Sequence, residues 1–507
     1  MPADALMFQG TASHVGKSVL TTAFCRLLHR RGVRVAPFKG MNMSNNAWVT
    51  REGGEMAIAQ AVQARACGIE PTVEMNPVLL KTTSDQASQV IVLGKPIGTV
   101  AAADLRKVRE RLMEAIEKGL RSLLDRYEVV VIEGAGSPAE VNLQETDLAN
   151  MRVARLANAP VVLVADIERG GMFAQLIGTL DLLQPEDRDR VRGFVINKFR
   201  GDPSLLNDGV KWLERRTGKP VFGVLPFLPR LRVPEEDSLA DRLSEVRAQD
   251  GGSSSDSSLQ IQVIRTPTMA NFTDFDPLHQ EPAVEICYLT TPPEGDRFPH
   301  LLILPGSKST MADLQWMQQA GFDRYLRRCV ERRVEVLGIC GGFQMLGEVI
   351  LDPSHVESKV SAMPGLGLLP TSTLFLPTKI TAQVRGLHLE SGSQVRGYEI
   401  HSGRLNGARR GKPVFRLQER GGVAVQELDG CRLEDRPVWG TYLHGLFDEA
   451  EFRRHFLNRL RRTAGLVEPG PSEYPAELDP YDELAEAVRT HLAVDEILQE
   501  VAWIPSA

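Results

Sequence analysis

The chain has 507 residues, of which 42% are hydrophobic and 24% charged, and its formal net charge is −6. This length predicts two or three domains, and the composition is typical of folded proteins. The charge gives no basic surface for nucleic acid, and no apolar run is long enough to span a membrane. Six scattered cysteines without a C-x-x-C pair, and an N-terminus without signal-peptide features, favour a cytoplasmic protein with neither a metal cage nor a disulfide framework.

The first half of the chain alternates short apolar runs with longer helical patterns. The runs lack polar alternation, as expected of strands buried on both faces, and they occupy residues 5–9, 33–38, 129–132, 161–165, 193–196 and 221–225. Helical patterns at 18–30 and 105–126 lie between them. This rhythm predicts an α/β fold with a mostly parallel sheet flanked by helices.

The first apolar run leads into Gly-Thr-Ala-Ser-His-Val-Gly-Lys-Ser and then into a helical pattern. Phosphate-binding loops have this context, because backbone N–H groups at the start of a helix cradle phosphate. The motif predicts that Gly10, Thr11 and Gly16 line a nucleotide. Lys17 would then reach its outer phosphates, and the Ser18 hydroxyl would bind Mg²⁺. The loop is a variant, since the standard spacing has its first glycine at position 11.

Polar residues end three of the other apolar runs, where ligands bind in parallel sheets. Glu133 ends one run before Gly-Ala-Gly and is a predicted oxygen ligand for Mg²⁺, with a strand-end cap as the structural alternative. Asp166 and Asn197 end the next two runs, and at each position a ligand-binding group and a structural turn remain open.

Residues 250–258 consist only of glycine, serine and aspartate and predict a flexible linker. Beyond it, strands are predicted at 260–264, 301–304, 334–339 and 438–443, again in an α/β pattern. The chain from 449 onward has mainly helical patterns. We therefore expect a first domain at 1–240, a linker at 241–258, a second domain at 259–450 and a helical C-terminal extension at 451–507.

The predicted strand at 334–339 runs into Gly-Ile-Cys-Gly-Gly, a nucleophile elbow with a thiol in place of the hydroxyl. Cys340 is the predicted nucleophile of an acyl transfer through a thioester. The N–H of Gly341 and the turn around Gly306 are the predicted oxyanion donors. His444, at the end of the last predicted strand, is the candidate base, and His401 remains a competing one.

Two chemistries therefore share one chain. ATP converts a carboxylate into an acyl phosphate, which an amine can attack. A cysteine–histidine site can hydrolyse glutamine and release ammonia. Together they predict a glutamine-dependent amide-forming enzyme; the other interpretation is an ATPase fused to an unrelated cysteine hydrolase.

Long strings of the chain resemble the cobyric acid synthase family. In that family a dethiobiotin synthetase-like ATPase domain precedes a class I glutamine amidotransferase domain of the cobyric and cobyrinic acid amidase branch. The strings keep the family's order over about residues 6–450 and include Asn-Pro-Val-Leu-Leu-Lys at 76–81, Glu-Gly-Ala-Gly-Ser-Pro-Ala-Glu at 133–140, Asn-Phe-Thr-Asp-Phe-Asp-Pro at 271–277, Gly-Ile-Cys-Gly-Gly-Phe-Gln-Met-Leu-Gly at 338–347 and Tyr-Leu-His-Gly-Leu-Phe-Asp at 442–448.

The resemblance implies amidation of the b, d, e and g carboxylates of a corrinoid, adenosylcobyrinic acid a,c-diamide, with ATP, Mg²⁺ and glutamine. It implies that Cys340 is the nucleophile and His444 the base. Glu145 and Asp147 match an acidic pair that lies near the transferred phosphate in the family.

The chain departs from the family pattern at His14, where aspartate is usual, and at Met41, where glutamine is common. Leu446 occupies the position where many class I amidotransferases carry a glutamate, so the partner of His444 is open, with Glu399 and Asp448 as candidates. Two other functions remain: the related synthase that forms the a,c-diamide, and a phosphate-loop switch or scaffold with a vestigial amidotransferase domain. The sequence leaves the oligomeric state open.

Overall fold

A computed structural model gives the chain two α/β halves, each built around a mostly parallel sheet. The structure describes residues 4–84, 87–142, 144, 147–228, 257–406, 411–474 and 479–500. Except for residues 257 and 258, the predicted linker lies outside the described residues, and so does Glu145 of the acidic pair.

The first half contains twelve described strands and seven described α-helices. The strands are β1 (Asp4–Gly10), β2 (Val35–Phe38), β3 (Met41–Met43), β4 (Ala47–Val49), β5 (Glu55–Ala57), β6 (Val78–Ser84), β7 (Ala87–Val92), β8 (Lys95–Ala101), β9 (Val129–Glu133), β10 (Val161–Asp166), β11 (Val191–Phe199) and β12 (Val221–Pro226). The helices are α1 (Lys17–Arg30), α2 (Ile58–Ala66), α3 (Leu105–Leu124), α4 (Met151–Leu156), α5 (Met172–Leu182), α6 (Pro185–Arg190) and α7 (Asn207–Thr217).

The main sheet of this half has the order β12-β11-β10-β1-β9-β2, and every neighbouring pair is parallel. All six predicted apolar runs are strands of this sheet, so the α/β prediction is confirmed. Between β2 and β9 the chain makes an excursion that was not predicted. It forms a four-stranded sheet in the order β3-β6-β7-β8 and the antiparallel pair β4–β5.

The second half begins with β13 and ends with α12. Its strands are β13 (Leu259–Ile264), β14 (Met269–Ala270), β15 (Val284–Leu289), β16 (Leu301–Leu304), β17 (Gly306–Ser307), β18 (Glu335–Ile339), β19 (Val349–Leu351), β20 (Ala362–Pro364), β21 (Ser372–His388), β22 (Gln394–Asn406), β23 (Phe415–Arg420), β24 (Val423–Asp429), β25 (Cys431–Arg432) and β26 (Val438–Thr441). Its helices are α8 (Asp276–His279), α9 (Thr310–Ala320), α10 (Phe322–Glu331), α11 (Gly341–Leu346) and α12 (Ala450–Ala464).

The main sheet of the second half has the order β15-β13-β16-β18-β26-β25 and is parallel except for the last pair. A second, mostly antiparallel sheet packs beside it around the long hairpin of β21 and β22. Because parallel neighbours end at the same edge, the residues after β16, β18 and β26 lie close together. Those residues include Gly306, Cys340 and His444.

The predicted helical extension divides between the two halves. Helix α12 buries Phe452 and Leu457 in the core of the second half. After it, α13 (Pro480–His491) and α14 (Val494–Gln499) pack on the first half, where Leu484 and Ile497 join the core that covers α1 and β12. Arg26 of α1 fixes the start of α13 on the first half through ion pairs with two aspartates, Asp479 at 2.6 Å and Asp482 at 2.7 Å.

Within the described ranges, no helix is both long enough and apolar enough to cross a membrane.

Replacing Leu484 with alanine tests whether the C-terminal helices stabilise the first half. Leu484 is 3% exposed, so Leu484→Ala should lower the local free energy of unfolding by about 2–5 kcal/mol. Hydrogen exchange of the amides of α1 and β12 measures this change. Thr490→Ala, at an exposed position of the same helix, is the matched control and should change it by less than about 0.5 kcal/mol. Equal effects of the two substitutions would contradict the packing role.

Candidate active site

Cys340 forms a strained elbow between β18 and α11. Its backbone has φ 50° and ψ −105°, a conformation that costs a non-glycine residue free energy and occurs mostly at functional sites. The Cys340 N–H donates to the carbonyl of Thr441 on β26 at 2.8 Å, which anchors the turn. The elbow predicted from the sequence is therefore present.

Two glycines after Cys340 allow other strands to approach the elbow closely. A Cβ atom at Gly342 would lie 2.0 Å from the carbonyl oxygen of Leu304, and one at Gly341 would lie 2.8 Å from the backbone nitrogen of Ser307. Any larger residue would therefore displace the turn that follows β16. This turn contains Gly306, where a Cβ would lie 2.9 Å from Cε1 of His444.

His444 follows β26 and is held by β22 on one side and by a carboxylate on the other. The backbone N–H of His444 donates to the backbone carbonyl of Tyr398 at 2.9 Å, and the rings of the two residues stack with centroids 5.3 Å apart. Its Nδ1 lies 2.7 Å from Oδ2 of Asp274, whose other oxygen accepts from the N–H of Gly445 at 2.9 Å. Asp274 therefore orients the imidazole and leaves Nε2 for the thiol.

The charges around His444 favour its protonated form. Burial opposes a charged imidazolium, but Asp274 and then Cys340 outweigh this effect and raise the pKa of His444 to about 10. The same interactions include a hydrogen bond between His444 and Cys340. A thiolate paired with an imidazolium is the reactive form of a catalytic cysteine.

Neither candidate named for the third member from the sequence occupies this position, and both were wrong. Glu399 forms an ion pair with Arg420, whose Nε donates to it at 2.7 Å. Asp448 is not the partner either, because Nδ1 of His444 lies on the carboxylate of Asp274. Asp274 lies in the string at 271–277 that marks the family resemblance, but no spacing rule linked it to a histidine 170 residues away.

His401, the competing base, lies apart from this arrangement. Its Nδ1 is 2.7 Å from the carbonyl oxygen of Gly403, its Nε2 is 3.7 Å from Glu399, and its ring stacks on Tyr442. Burial lowers the pKa of His401. The geometry therefore favours His444 as the base.

The phosphate-loop motif lies between β1 and α1, as the sequence predicts. Gly16 has φ 97°, and a Cβ there would lie 2.0 Å from the amide nitrogen of Asn197. That Asn197 amide donates to the carbonyl of Val15 at 2.9 Å, so the end of β11 supports the loop. The side chain of Thr11 donates to Gln175 at 3.1 Å. Lys17 Nζ donates to the carbonyls of Ala12 at 2.9 Å and Gly136 at 3.2 Å, across the mouth of the loop.

Glu133 is buried at the carboxyl end of β9 and is surrounded by donors. Ser18 Oγ donates at 2.8 Å, Lys39 Nζ at 2.8 Å and the amide of Gln63 at 2.6 Å. Burial favours the neutral carboxyl, but Lys39 and the hydrogen bonds outweigh it and lower the pKa of Glu133. The sequence did not predict the contribution of Lys39 or Gln63.

A cavity of about 1080 Å³ opens beside the phosphate loop. This volume is slightly above the usual range for small-molecule sites, which ends at about 1,000 Å³. Its walls combine basic side chains with an apolar surface; the lining residues include Ala12, Ser13, Met41, Met43, Leu80, Leu105, Arg106, Arg109, Gly136, Asp147 and Arg155. Asp147 also shapes the wall, because its oxygens accept from the N–H groups of Ala149, Asn150 and Arg152.

Comparisons with known proteins find one family model that matches each half of the chain. Residues 6–240 match the family model described as the CobQ/CobB/MinD/ParA nucleotide binding domain. Residues 260–452 match the CobB/CobQ-like glutamine amidotransferase domain. Among solved structures, PurLQS from Thermotoga maritima is 19% identical and covers 40% of this chain and 99% of its own, with a TM-score of 0.30, which is too low to compare the folds.

Full-length relatives identify the family. A cobyric acid synthase of Pelotomaculum thermopropionicum is 48% identical over 98% of this chain and 96% of its own. The cobyric acid synthase of Moorella thermoacetica is 46% identical over 97% of this chain and 96% of its own. That of Carboxydothermus hydrogenoformans is 47% identical over 98% of this chain and 99% of its own.

A nucleotide-binding domain joined to a glutamine amidotransferase domain defines a class of amide-forming enzymes that hydrolyse glutamine. Within that class, this chain belongs to the cobyric acid synthase family, which acts in cobalamin biosynthesis. The alternative of a switch or scaffold protein with a vestigial domain is therefore excluded.

Replacing Asp274 with asparagine tests its part in the site. Asp274→Asn keeps the shape but removes the charge that stabilises the imidazolium, so the pKa of His444 should fall from about 10 and the charged form should be lost at lower pH. We expect glutamine hydrolysis to slow by about 10²–10⁴-fold, as measured by ammonia release. Glu399→Gln makes the same change at another buried carboxylate and is the control; a larger loss there would contradict the assignment.

Proposed function

We propose that the chain is a cobyric acid synthase, which amidates the b, d, e and g carboxylates of adenosylcobyrinic acid a,c-diamide with ATP and glutamine. The observation that carries the proposal is the buried Cys340–His444–Asp274 arrangement in a chain that also holds a phosphate loop. The names of the full-length relatives support the choice of substrate. We propose the limits of the first domain and the linker that the sequence predicts, with α12 as a part of the second half and α13 and α14 as a part of the first half.

In the second half, Cys340 attacks the side-chain amide carbon of glutamine. The thiol proton passes to His444, which then donates it to the leaving ammonia. The N–H groups of Gly306 and Gly341 are the proposed donors to the tetrahedral oxyanion, supported by the close approach of the two turns. Water then hydrolyses the thioester, which releases glutamate and restores the thiol.

In the first half, a carboxylate oxygen of the corrinoid attacks the γ-phosphorus of ATP, and ADP leaves. Ammonia adds to the acyl carbon of the resulting acyl phosphate, loses a proton and expels inorganic phosphate, which leaves the amide. Gly10, Thr11, Gly16 and Lys17 hold the phosphates of the nucleotide. We assign Glu145 and Asp147 to the vicinity of the transferred phosphate by the family resemblance, and the position of Asp147 on the cavity wall supports this.

Mg²⁺ is the proposed metal, and it would neutralise charge on the phosphates when bound. Ser18 and Glu133 fit such an ion as a hydroxyl and a carboxylate set 2.8 Å apart. Glu133 would act mainly by orienting Ser18, because its oxygens already accept from Lys39 and Gln63. Among the described residues, no group of three or more histidine, cysteine, aspartate or glutamate side chains could hold a metal.

The cavity beside the loop supports a large, amphipathic substrate that carries several carboxylates. Arg106 and Arg109 supply positive charge to its lining, and Met41 and Leu80 supply apolar surface. The related synthase that forms the a,c-diamide acts on the same macrocycle, so the cavity alone does not separate the two activities. The similarity to full-length cobyric acid synthases favours the four later amidations.

The product mass decides between these activities. The protein is incubated with ATP, Mg²⁺, glutamine and adenosylcobyrinic acid a,c-diamide, and the corrinoid is followed by mass spectrometry. We expect stepwise conversion of carboxylates to amides until four have been added. No mass change with this substrate, together with amidation of unamidated cobyrinic acid, would identify the related a,c-diamide synthase instead.

Two substitutions should separate the two half-reactions. Cys340→Ala removes the nucleophile, so it should abolish glutamine-driven amidation but leave ammonia-driven amidation intact. Lys17→Ala removes a phosphate contact, so it should abolish amidation with either nitrogen source while glutamine hydrolysis persists. Product mass and glutamate release are measured for each variant. Ammonia-driven amidation by Lys17→Ala at the wild-type rate would argue against activation by phosphate.

A further inference from the structure

One continuous segment of the first half contacts both sites. This bridging segment, residues 39–48, begins at Lys39, which pairs with Glu133 beside the phosphate loop at 2.8 Å. Met41 and Met43 then line the cavity. The segment ends at residues 46–48, which contact the second half. A displacement of the backbone beside the phosphate loop can therefore reach the glutaminase site through one short stretch of continuous chain.

Two buried asparagines, each 2% exposed, join the end of the bridging segment to the turn that carries Asp274. Oδ1 of Asn46 accepts from the N–H of Phe272, and Oδ1 of Asn271 accepts from the N–H of Ala47, both at 2.9 Å. The carbonyl of Asn271 also accepts from the N–H of Asp274 at 3.0 Å. The asparagine pair thus fixes the start of the turn whose carboxylate orients His444.

A stack of rings reaches His444 from the same segment. The ring of Trp48 meets that of Tyr398 edge-on, with centroids 5.1 Å apart. Tyr398 in turn stacks on His444 at 5.3 Å. On the first half, the guanidinium of Arg65 lies 4.1 Å from the centroid of Trp48. Asn46 and Trp48 therefore support both the carboxylate and the imidazole of a site in the other half.

We propose that Asn46 and Trp48 are positioning residues of the glutaminase site, so that the Cys340–His444–Asp274 arrangement is complete only while the first half is docked against it. The inference rests on the proposed function of that arrangement. It makes the bridging segment the element through which the phosphate-loop side influences glutamine hydrolysis. Neither residue touches the reacting atoms, so each acts through Asp274 or His444.

The charge environment of His444 provides a readout that a merely structural contact would not change. Asp274 from the turn at 272–275 and Cys340 from the elbow face His444, and the ring of Tyr398 from β22 stacks on it. Asp448 lies beside Asp274, and the charges of Arg65, Arg453 and Asp276 act on Asp448 in turn. A misplaced Asp274 stabilises the imidazolium less, so the pKa of His444 falls and the thiol loses its charged partner at lower pH. The pH profile of Cys340 alkylation reports this directly.

The test measures iodoacetamide alkylation of Cys340 in the full chain against pH, by mass spectrometry of the peptide that contains it. Asp274→Asn should move the midpoint to higher pH by about one unit, and Asn46→Ala and Trp48→Leu should move it in the same direction by about half a unit. Trp48→Phe, which keeps an aromatic ring against Tyr398, should retain the wild-type alkylation midpoint, in contrast to Trp48→Leu. A circular dichroism spectrum that matches that of the wild-type chain shows that each variant is folded.

Lys379→Gln is the matched control. Lys379 on β21 pairs with Glu55 of the first half at 2.5 Å, so the substitution weakens the contact between the halves, while Glu55 keeps Lys81 at 3.0 Å. We expect no shift of the alkylation midpoint. An equal shift in this control would overturn the proposal, because general loosening of the interface would then suffice.

The remaining outcomes separate the inference from the function on which it rests. If Asp274→Asn moves the midpoint and neither Asn46→Ala nor Trp48→Leu does, the positioning role is wrong and the glutaminase assignment stands. If Asp274→Asn itself produces no shift, the assignment of the catalytic arrangement fails as well. Addition of Asn46→Ala to Asp274→Asn should produce no further shift, since both act through one carboxylate.

Discussion

The 2.7 Å contact between His444 and Asp274 is the interaction on which the proposed chemistry of the second half depends. Both side chains are almost completely buried, at 1% and 2% exposure. A buried charge is unfavourable unless it is paired and hydrogen-bonded. Asp274 meets this condition because its second oxygen accepts from the N–H of Gly445, so the carboxylate that contacts His444 is also bound to the backbone that follows His444.

The elements that could be predicted from the sequence are those that carry a local signal. Six apolar runs marked the parallel strands of the first sheet, because strands buried on both faces lack polar alternation. The phosphate loop and the elbow at Cys340 each combine a motif with a strand before it and a helix after it, and both lie where these contexts place them. His444 was identifiable because a polar residue ended a buried strand.

The remaining features depend on contacts that have no signal in the local sequence. Asp274 lies on a 3₁₀ turn of four residues, too short to show any periodicity, and only the fold brings it to His444. Strands such as β8 and β24 are largely exposed, so their hydrophobic pattern is weak. Lys39 and Gln63 reach Glu133 from separate elements, and neither stands in a motif that predicts a partner.

The return of α13 and α14 to the first half means that the amidotransferase half is inserted within its partner in the topological sense. A single cut between the halves would leave the first one without the helices that cover α1 and β12. Separation of the two halves into independent subunits would therefore require two breaks in the chain and a new connection between the remaining parts of the first half. The covalent order of the chain thus constrains how such an enzyme could be divided during evolution.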